Sequence, residues 1–509
     1  MLCSCPVRAF AACVSARAAT WCFQTSRPSN DAPKLSRAGP EVTCLRYSVT
    51  YQQPELVMSE NKVDAVIVGA GLSGSYIALL LKDAGLSVKL LEARERVGGL
   101  TYSPESKAYG GRVDLGGQWV SPQHKRMNTL IAKYKVPLVK QFVAGRRACL
   151  HGAEVFYGEM GTVPGLSPEE RADYKEAYGR LYAAMDGLAE NPWESKDAKA
   201  LDSITYVSWV DSICKPGRVH ASMCRMPGAY YGALPEEISA LELIHKLRSC
   251  GGPIFMSDTA TGGQSFHMMG SAMVAEGMAG ELGDALILSS PARRVEWDDK
   301  GATVISDKIS LRCRHVVFAA QPVMINQLQF DPPLPAKRRL LHQRFPSGRN
   351  TKAVVIYDKP FWRDRNLNGN IIATDGSMTA AFDLGGQGTD KGILITLFTG
   401  QAAYGVDNLP PTDRRNVILS KLAQALGNEA HEPVEYMDRV WADEEWSGGA
   451  SSPFLVPGAL TTIGAEIREP VGPLHWAGTH MATHYRGYME GALVAGEAAA
   501  QRIIASPRA

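Results

Sequence analysis

The run DAVIVGAGLSG, residues 64–74, constrains the fold more than any other feature of the chain. DAVIV has the composition of a short buried strand and leads without a break into a glycine turn. SYIALLLKDAGLS then carries apolar residues at helical spacing and stops near Gly85, and a second strand, SVKLLEA, ends near Glu92. Each part has a physical reason. Gly69 permits the tight turn, Gly71 lets the backbone approach a pyrophosphate, and Gly74 lets helix and strand pack closely. The helix start, with Ser73 in its first turn, offers free N–H groups and a positive dipole end to phosphate. A carboxylate at the end of the second strand suits ribose hydroxyls. A glycine turn alone is weak evidence; strand, turn, helix, strand and acid in this order predict a dinucleotide-binding unit.

The next segment separates nicotinamide from flavin. EARERVGGLTY, residues 92–102, adds the pair Gly98 and Gly99, and VDLGGQWV, residues 113–120, adds Gly116 and Gly117. A nicotinamide dehydrogenase needs no second and third backbone approach. An extended FAD, whose isoalloxazine lies far from its adenine, does.

With 509 residues the chain is too long for one simple core and is expected to form two intertwined domains. A net charge of +2 gives no reason to expect nucleic acid or a strongly acidic partner. Five of the ten cysteines fall in the first 44 residues, and the rest show no metal-ligand spacing, as expected of a reducing compartment. Residues 1–57 read as an extension that does not fold. Up to Asn30 it holds arginines and no acid, the composition of a mitochondrial presequence; the alternative is a passive extension, since MSENKVDAVIVGAG from Met58 would serve as a start. No apolar run approaches the roughly 18 residues that would cross a bilayer. The expectation is a soluble, cytoplasmic enzyme, or a mitochondrial matrix enzyme if the extension is a presequence. A homo-oligomer stays open.

From Met58 to about Ile504 the sequence resembles the flavin-dependent amine oxidases of the monoamine oxidase group. Besides the motifs above, the resemblance rests on RSCGGPIFMSDTATGGQ (248–264), NTKAVVIYDKPFW (350–362), VWADEEWSGGASS (440–452) and HWAGTHMATHYRGYMEGALVAGEAAAQRI (475–503). It implies an α/β fold with a Rossmann-like, discontinuous FAD-binding domain, residues 58–137, 266–343 and 440–509. A substrate domain built on a mixed sheet takes residues 138–265 and 344–439. HVVFAA and AVVIYD read as strands, DRRNVILSKLAQALG as a helix with Asp413 as N-cap, and DPPLPAKRR as a link between domains.

The resemblance also implies roles for single residues. Met489, opening the last helix, would donate its backbone N–H to the flavin, and Gly478 and Thr479 would lie near the phosphates. Ala93, Arg94, Gln118 and Ala292 complete the implied cofactor set. Tyr488 would be one wall of an aromatic cage, and otherwise a helix-cap aromatic. Lys352 would hold a water at flavin N5, where a cation assists reoxidation by O2; a mid-strand lysine is otherwise the solvated residue of an edge strand. Trp441 would stand against the flavin, although it or Trp446 could be core. Gln264, able to donate and accept, would orient the amine, and Trp119 replaces a tyrosine at the pocket edge.

Three positions depart from the family. Some members carry a cysteine linked to the flavin in SGGC, followed by a tyrosine that forms the second cage wall. Here those positions are Ala450 and Ser451, so FAD is expected to bind non-covalently and the cage to be half open unless Phe454 or another aromatic enters. Leu100 stands where the family has an arginine on phosphate, a loss for which Arg94 or Arg96 would compensate.

The leading expectation is an oxidase converting primary amines and O2 to aldehyde, ammonia and hydrogen peroxide. An L-amino-acid oxidase would need an arginine aimed at a carboxylate. A polyamine oxidase would need acids along a tunnel, and Glu236, Glu237 and Glu242 are candidates, although LPEEISALELIHKL reads more simply as a helix with a solvated face. A non-catalytic FAD-binding scaffold is the rival of another class.

Overall fold

A computed structural model describes residues 61–385 and 389–507, so the extension 1–57 lies outside the described residues. β1 (Asn61–Val68) begins three residues before the apolar pattern does, because Asn61–Val63 already pair in register with Leu311–Cys313. α1 (Leu72–Asp83) and β2 (Val88–Leu91) follow as expected, with β1 parallel to both β2 and the strand Ser310–Phe318. The glycine turn is tight for the reason its sequence suggests. A Cβ on Gly74 would stand 2.0 Å from the Gly69 carbonyl oxygen and 3.0 Å from the Ala319 Cβ, so only glycine lets α1 lie this close to the strand ends.

These strands belong to an eight-stranded sheet whose members come from residues 61–91, 286–331 and 474–476. A second sheet of seven strands draws only on residues 146–158 and 350–440. It is mixed: Leu367–Ala373 runs parallel to Arg146–His151, and the other pairs are antiparallel. The strand Asn350–Tyr357 lies inside this sheet, between Glu435–Val440 and Gly392–Thr399. Lys352 is therefore not on an edge and is buried.

Two local expectations are corrected. The helix Pro411–Leu426 starts from Pro410, and Asp413 sits in its first turn rather than at the cap; proline at the first helical position loses no needed donor. The stretch read as a helix with a solvated face is the helix Ala240–Ser249, buried from Ala240 to Leu247. Tertiary packing overrides its polar pattern by giving the acid partners. Glu242 accepts from Arg486 at 2.9 Å and from the Tyr231 hydroxyl at 2.7 Å, with both charged side chains almost wholly buried. Breaking such a pair leaves an uncompensated buried charge and costs about 3–5 kcal/mol. Arg486→Met is accordingly expected to lower the unfolding free energy read from urea melts by that amount; an unchanged value would show that Glu242 does not depend on Arg486.

Candidate functional site

A cavity of about 710 Å³ runs from the glycine turn to the inner face of the seven-stranded sheet. Every residue of the expected catalytic, substrate and cofactor sets lines it except Gly74, which packs behind the wall. At one end lie Gly69, Gly71, Ser73, Glu92, Ala93, Arg94, Gly99, Leu100, Ala292, Gly478 and Thr479. Further along are Gly116, Gly117, Gln118, Trp119, Trp441, Ala450, Met489, and then Gln264, Lys352, Ser451 and Tyr488.

The first end has the chemistry of a dinucleotide cradle. α1 begins at Gly71 with no side-chain cap and no acid in its first turn, so its N–H groups face the cavity. Ser73 Oγ is buried without a partner among the described residues, an orphaned donor that a phosphate oxygen would satisfy. Glu92 accepts from the Ala70 N–H at 2.8 Å and the Arg94 N–H at 2.9 Å, which fixes its carboxylate at the strand end with lone pairs to spare. Arg94 reaches the cavity while donating to Glu444 and Ser447. Arg96 instead donates to carbonyls of its own loop, including Val97 and Gly99, so of the two arginines only Arg94 stands where the charge missing at Leu100 could be replaced.

The last helix, Met489–Ile504, also starts at the cavity without a side-chain cap, from Tyr488. Its one first-turn acid, Glu490, is turned away to accept from the Met127 N–H at 2.8 Å. The Met489 N–H therefore presents a positive helix end with no acceptor among the described residues. Thr479 Oγ1 braces this corner by donating to the Tyr488 carbonyl at 2.8 Å and accepting from the Gly487 N–H at 2.8 Å. Trp441 is buried and donates to the Leu115 carbonyl at 2.9 Å. Trp446 also lines the cavity, under the Arg293 guanidinium at 5.3 Å.

Lys352 is the buried cation of the other end. Its Nζ donates to the Gly116 carbonyl at 2.8 Å and to Gln118 Oε1. That holds the VDLGGQWV turn against the sheet and leaves the ammonium one further proton. Burial pulls its pKa from 10.5 down to about 7, against the opposing pull of Asp114. Trp119 lies beside it, its ring 5.7 Å from Nζ and edge-on to Phe382. Gln264 donates its backbone N–H to the Asp258 carbonyl at 3.0 Å, and its side-chain amide has no partner among the described residues.

Ser451 lines the cavity, and its Oγ accepts from Asn350 Nδ2 at 3.2 Å. Phe454 does not enter; it is buried in the core edge-on to Tyr231. Glu236, Glu237 and Glu242 do not line this cavity. Glu242 is spent on Arg486, Glu237 accepts from the Leu234 N–H, and Glu236 borders a separate, smaller cavity.

Sequence reasoning missed four cations that the fold brings here: Lys246, Arg147, Arg225 and Arg293, the last paired with Asp307 at 2.7 Å. Lys246 lies between the rings of Tyr231 at 4.7 Å and Tyr488 at 5.8 Å, and burial lowers it to about 8. Its only local signal is a lysine amid Leu243, Ile244 and Leu247 on a helix. Arg147 and Arg225 carry no local signal, because strands and helices distant in sequence bring them together.

Residues 70–504 match the family described as flavin containing amine oxidoreductase. The chain is 32% identical over 462 residues to amine oxidase [flavin-containing] B of Bos taurus, covering 87% of this chain and 86% of that one. It is 30% identical over 465 residues to the L-amino acid dehydrogenase of Synechocystis, covering 88% and 96%. Among solved structures, wild-type putrescine oxidase bound to putrescine superposes with a TM-score of 0.83 at 28% identity, covering 88% of this chain and 100% of that one. With an uncapped helix and orphaned Ser73 at one end of the cavity and a buried lysine at the other, the chain belongs to the flavin containing amine oxidoreductases, and its cofactor is FAD.

Proposed function

We propose that the chain oxidises primary amines: amine, water and O2 give aldehyde, ammonia and hydrogen peroxide. The observation that carries this reading is that Lys352, Tyr488 and Gln264 line the same cavity as a dinucleotide cradle. FAD, when bound, supplies the two-electron chemistry, so no serine, histidine or metal centre is required of the protein. The eight-stranded sheet and its segments would hold FAD, and the seven-stranded sheet would form the substrate side. Gly69, Gly71 and Ser73 would hold the pyrophosphate, with Gly74 packing the helix behind them, and Glu92 the ribose. Met489 and Trp441 would contact the ring system.

The protein's share is binding and orientation. The Gln264 amide can accept from an amine N–H and donate to its lone-pair side, and the Tyr488 face turns the α-carbon inward. At this end a neutral amine would react and an ammonium would not. Lys352 would act in the oxidative half-reaction, placing a positive charge where O2 gains electrons. Purified holoenzyme is expected to release hydrogen peroxide with primary amines. Absence of peroxide across aliphatic and aromatic amines would leave the scaffold reading in its place.

Two more results follow from the same geometry. Ala450 has no sulfur to bond to FAD, so acid precipitation should leave a colourless pellet and a yellow supernatant; a yellow pellet would locate a link elsewhere. Lys352→Met is expected to slow reoxidation of the reduced enzyme at least tenfold while amine-driven reduction changes less. In the unmodified enzyme the charged form of Lys352 is present below its pKa of about 7 and is lost above it. Reoxidation should therefore slow as pH rises through about 7. Oxygen reactivity indifferent both to pH and to the substitution would remove Lys352 from this role.

A further inference from the structure

The cavity extends beyond Lys352 along the inner face of the seven-stranded sheet. Directly paired residues of neighbouring strands share a face, and the register runs Lys352, Leu397, Ala380, Ile372, Cys149 across five strands. The first four line the cavity, so this face is its floor. Arg147 lies two residues before Cys149 on the same side of its strand and also lines the cavity. Arg225, just past the helix Arg218–Cys224, comes in from above and donates to the carbonyl of Thr379 at 3.0 Å, next to Ala380 in the floor.

These two guanidiniums have no carboxylate partner among the described residues. Arg147 makes one long contact, 3.4 Å, to the Thr162 carbonyl, and Nε of both arginines is buried with no acceptor. Each side chain has five donors in a planar fork, and together they use two carbonyls. Burial and the Arg225 charge pull Arg147 down to about 10. The neighbouring Arg218, by contrast, is neutralised by Glu170 at 2.6 Å. Two partly buried cations facing one cavity without a counter-ion repel each other, and that cost is relieved by an anion in the cavity.

The acids of the cavity do not supply that charge. Glu92 is engaged at the cofactor end, and Asp258 is occupied by the Ala260 and Thr261 N–H groups of its own loop, at 2.9 and 3.0 Å. A second ammonium group on a substrate would meet two arginines and no free carboxylate. The strand that follows Thr379 lies two strand spacings from that of Lys352, about 10 Å. The amine nitrogen and carboxylate of an α-amino acid are about 3 Å apart, less than that spacing.

Resting on the amine-oxidase reading above, we propose that Arg147 and Arg225 form a carboxylate subsite at the far end of the cavity. The preferred substrates are ω-amino acids, primary amines with a carboxylate at the other end of a short chain. The amine stands at Gln264 and Tyr488, and the carboxylate is received by the two guanidinium forks.

Three probes of equal chain length test this with the holoenzyme: δ-aminovalerate, pentylamine and cadaverine, ranked by kcat/KM from peroxide release. The expected order is δ-aminovalerate first, at least tenfold above pentylamine, with cadaverine last. Arg147→Met and Arg225→Met should each collapse the δ-aminovalerate to pentylamine ratio at least tenfold, chiefly through KM. The unmodified enzyme decides the matter even if a variant fails to fold. Oxidation of pentylamine or cadaverine as efficiently as δ-aminovalerate would overturn the subsite while leaving the amine-oxidase reading intact. No oxidation of any of the three, or of other primary amines, would overturn both.

Discussion

The contact at Gly74 is the constraint on which the rest of the molecule depends. Because a side chain there would collide with the Gly69 carbonyl, α1 can lie directly against the end of β1, with its uncapped start opening into the cavity. The same closeness fixes where the later glycine-rich turns come in: the Gly98 N–H donates to the Ala70 carbonyl at 2.9 Å, and Gly71 pairs with Gly98 across an isolated bridge. A Cβ on Gly116 would stand 2.2 Å from the Leu100 carbonyl oxygen, so the third turn is packed on the second as tightly as helix on strand. Three backbone approaches thus form one wall, and any bulk at their contacts would close the cavity that they frame.

The opposite wall is a sheet, and a sheet sets spacing. Lys352 is buried at a cost, offset by the Gly116 carbonyl and Gln118, and in return it ties the glycine wall to the floor. From there the strand register places chemistry at intervals of about 4.8 Å. Strand register therefore holds the Arg147 strand at a set distance from the Lys352 strand. The proposed carboxylate subsite would set this cavity apart from one suited to diamines. Fold carries the flavin chemistry, and the side chains of the sheet floor carry substrate choice.

What was legible in the sequence was local. The turn at Gly69–Gly74, the acid at Glu92, and a lysine in the middle of an apolar strand each announce themselves within a few residues, and the structure brings all the named site residues but Gly74 to one cavity wall. The helix Ala240–Ser249 was misread because its polar residues look solvated until Arg486, more than 200 positions away, arrives to pair with Glu242. Asp413 was taken for a cap because the side chain fits the role, while the proline pair before it decides the start. Arg147 and Arg225 were invisible for a different reason. Surface arginines are common, and only the absence of a nearby carboxylate in three dimensions sets these two apart.

The central claim is that one cavity places an amine where its electrons pass to FAD. Anaerobic addition of a primary amine to the yellow holoenzyme tests it most directly, since neither O2 nor product release enters. The expected result is loss of the oxidised-flavin colour in proportion to aldehyde formed, with the colour returning on admission of air. A flavin that stays oxidised with every amine offered, although dithionite reduces it, would contradict the account.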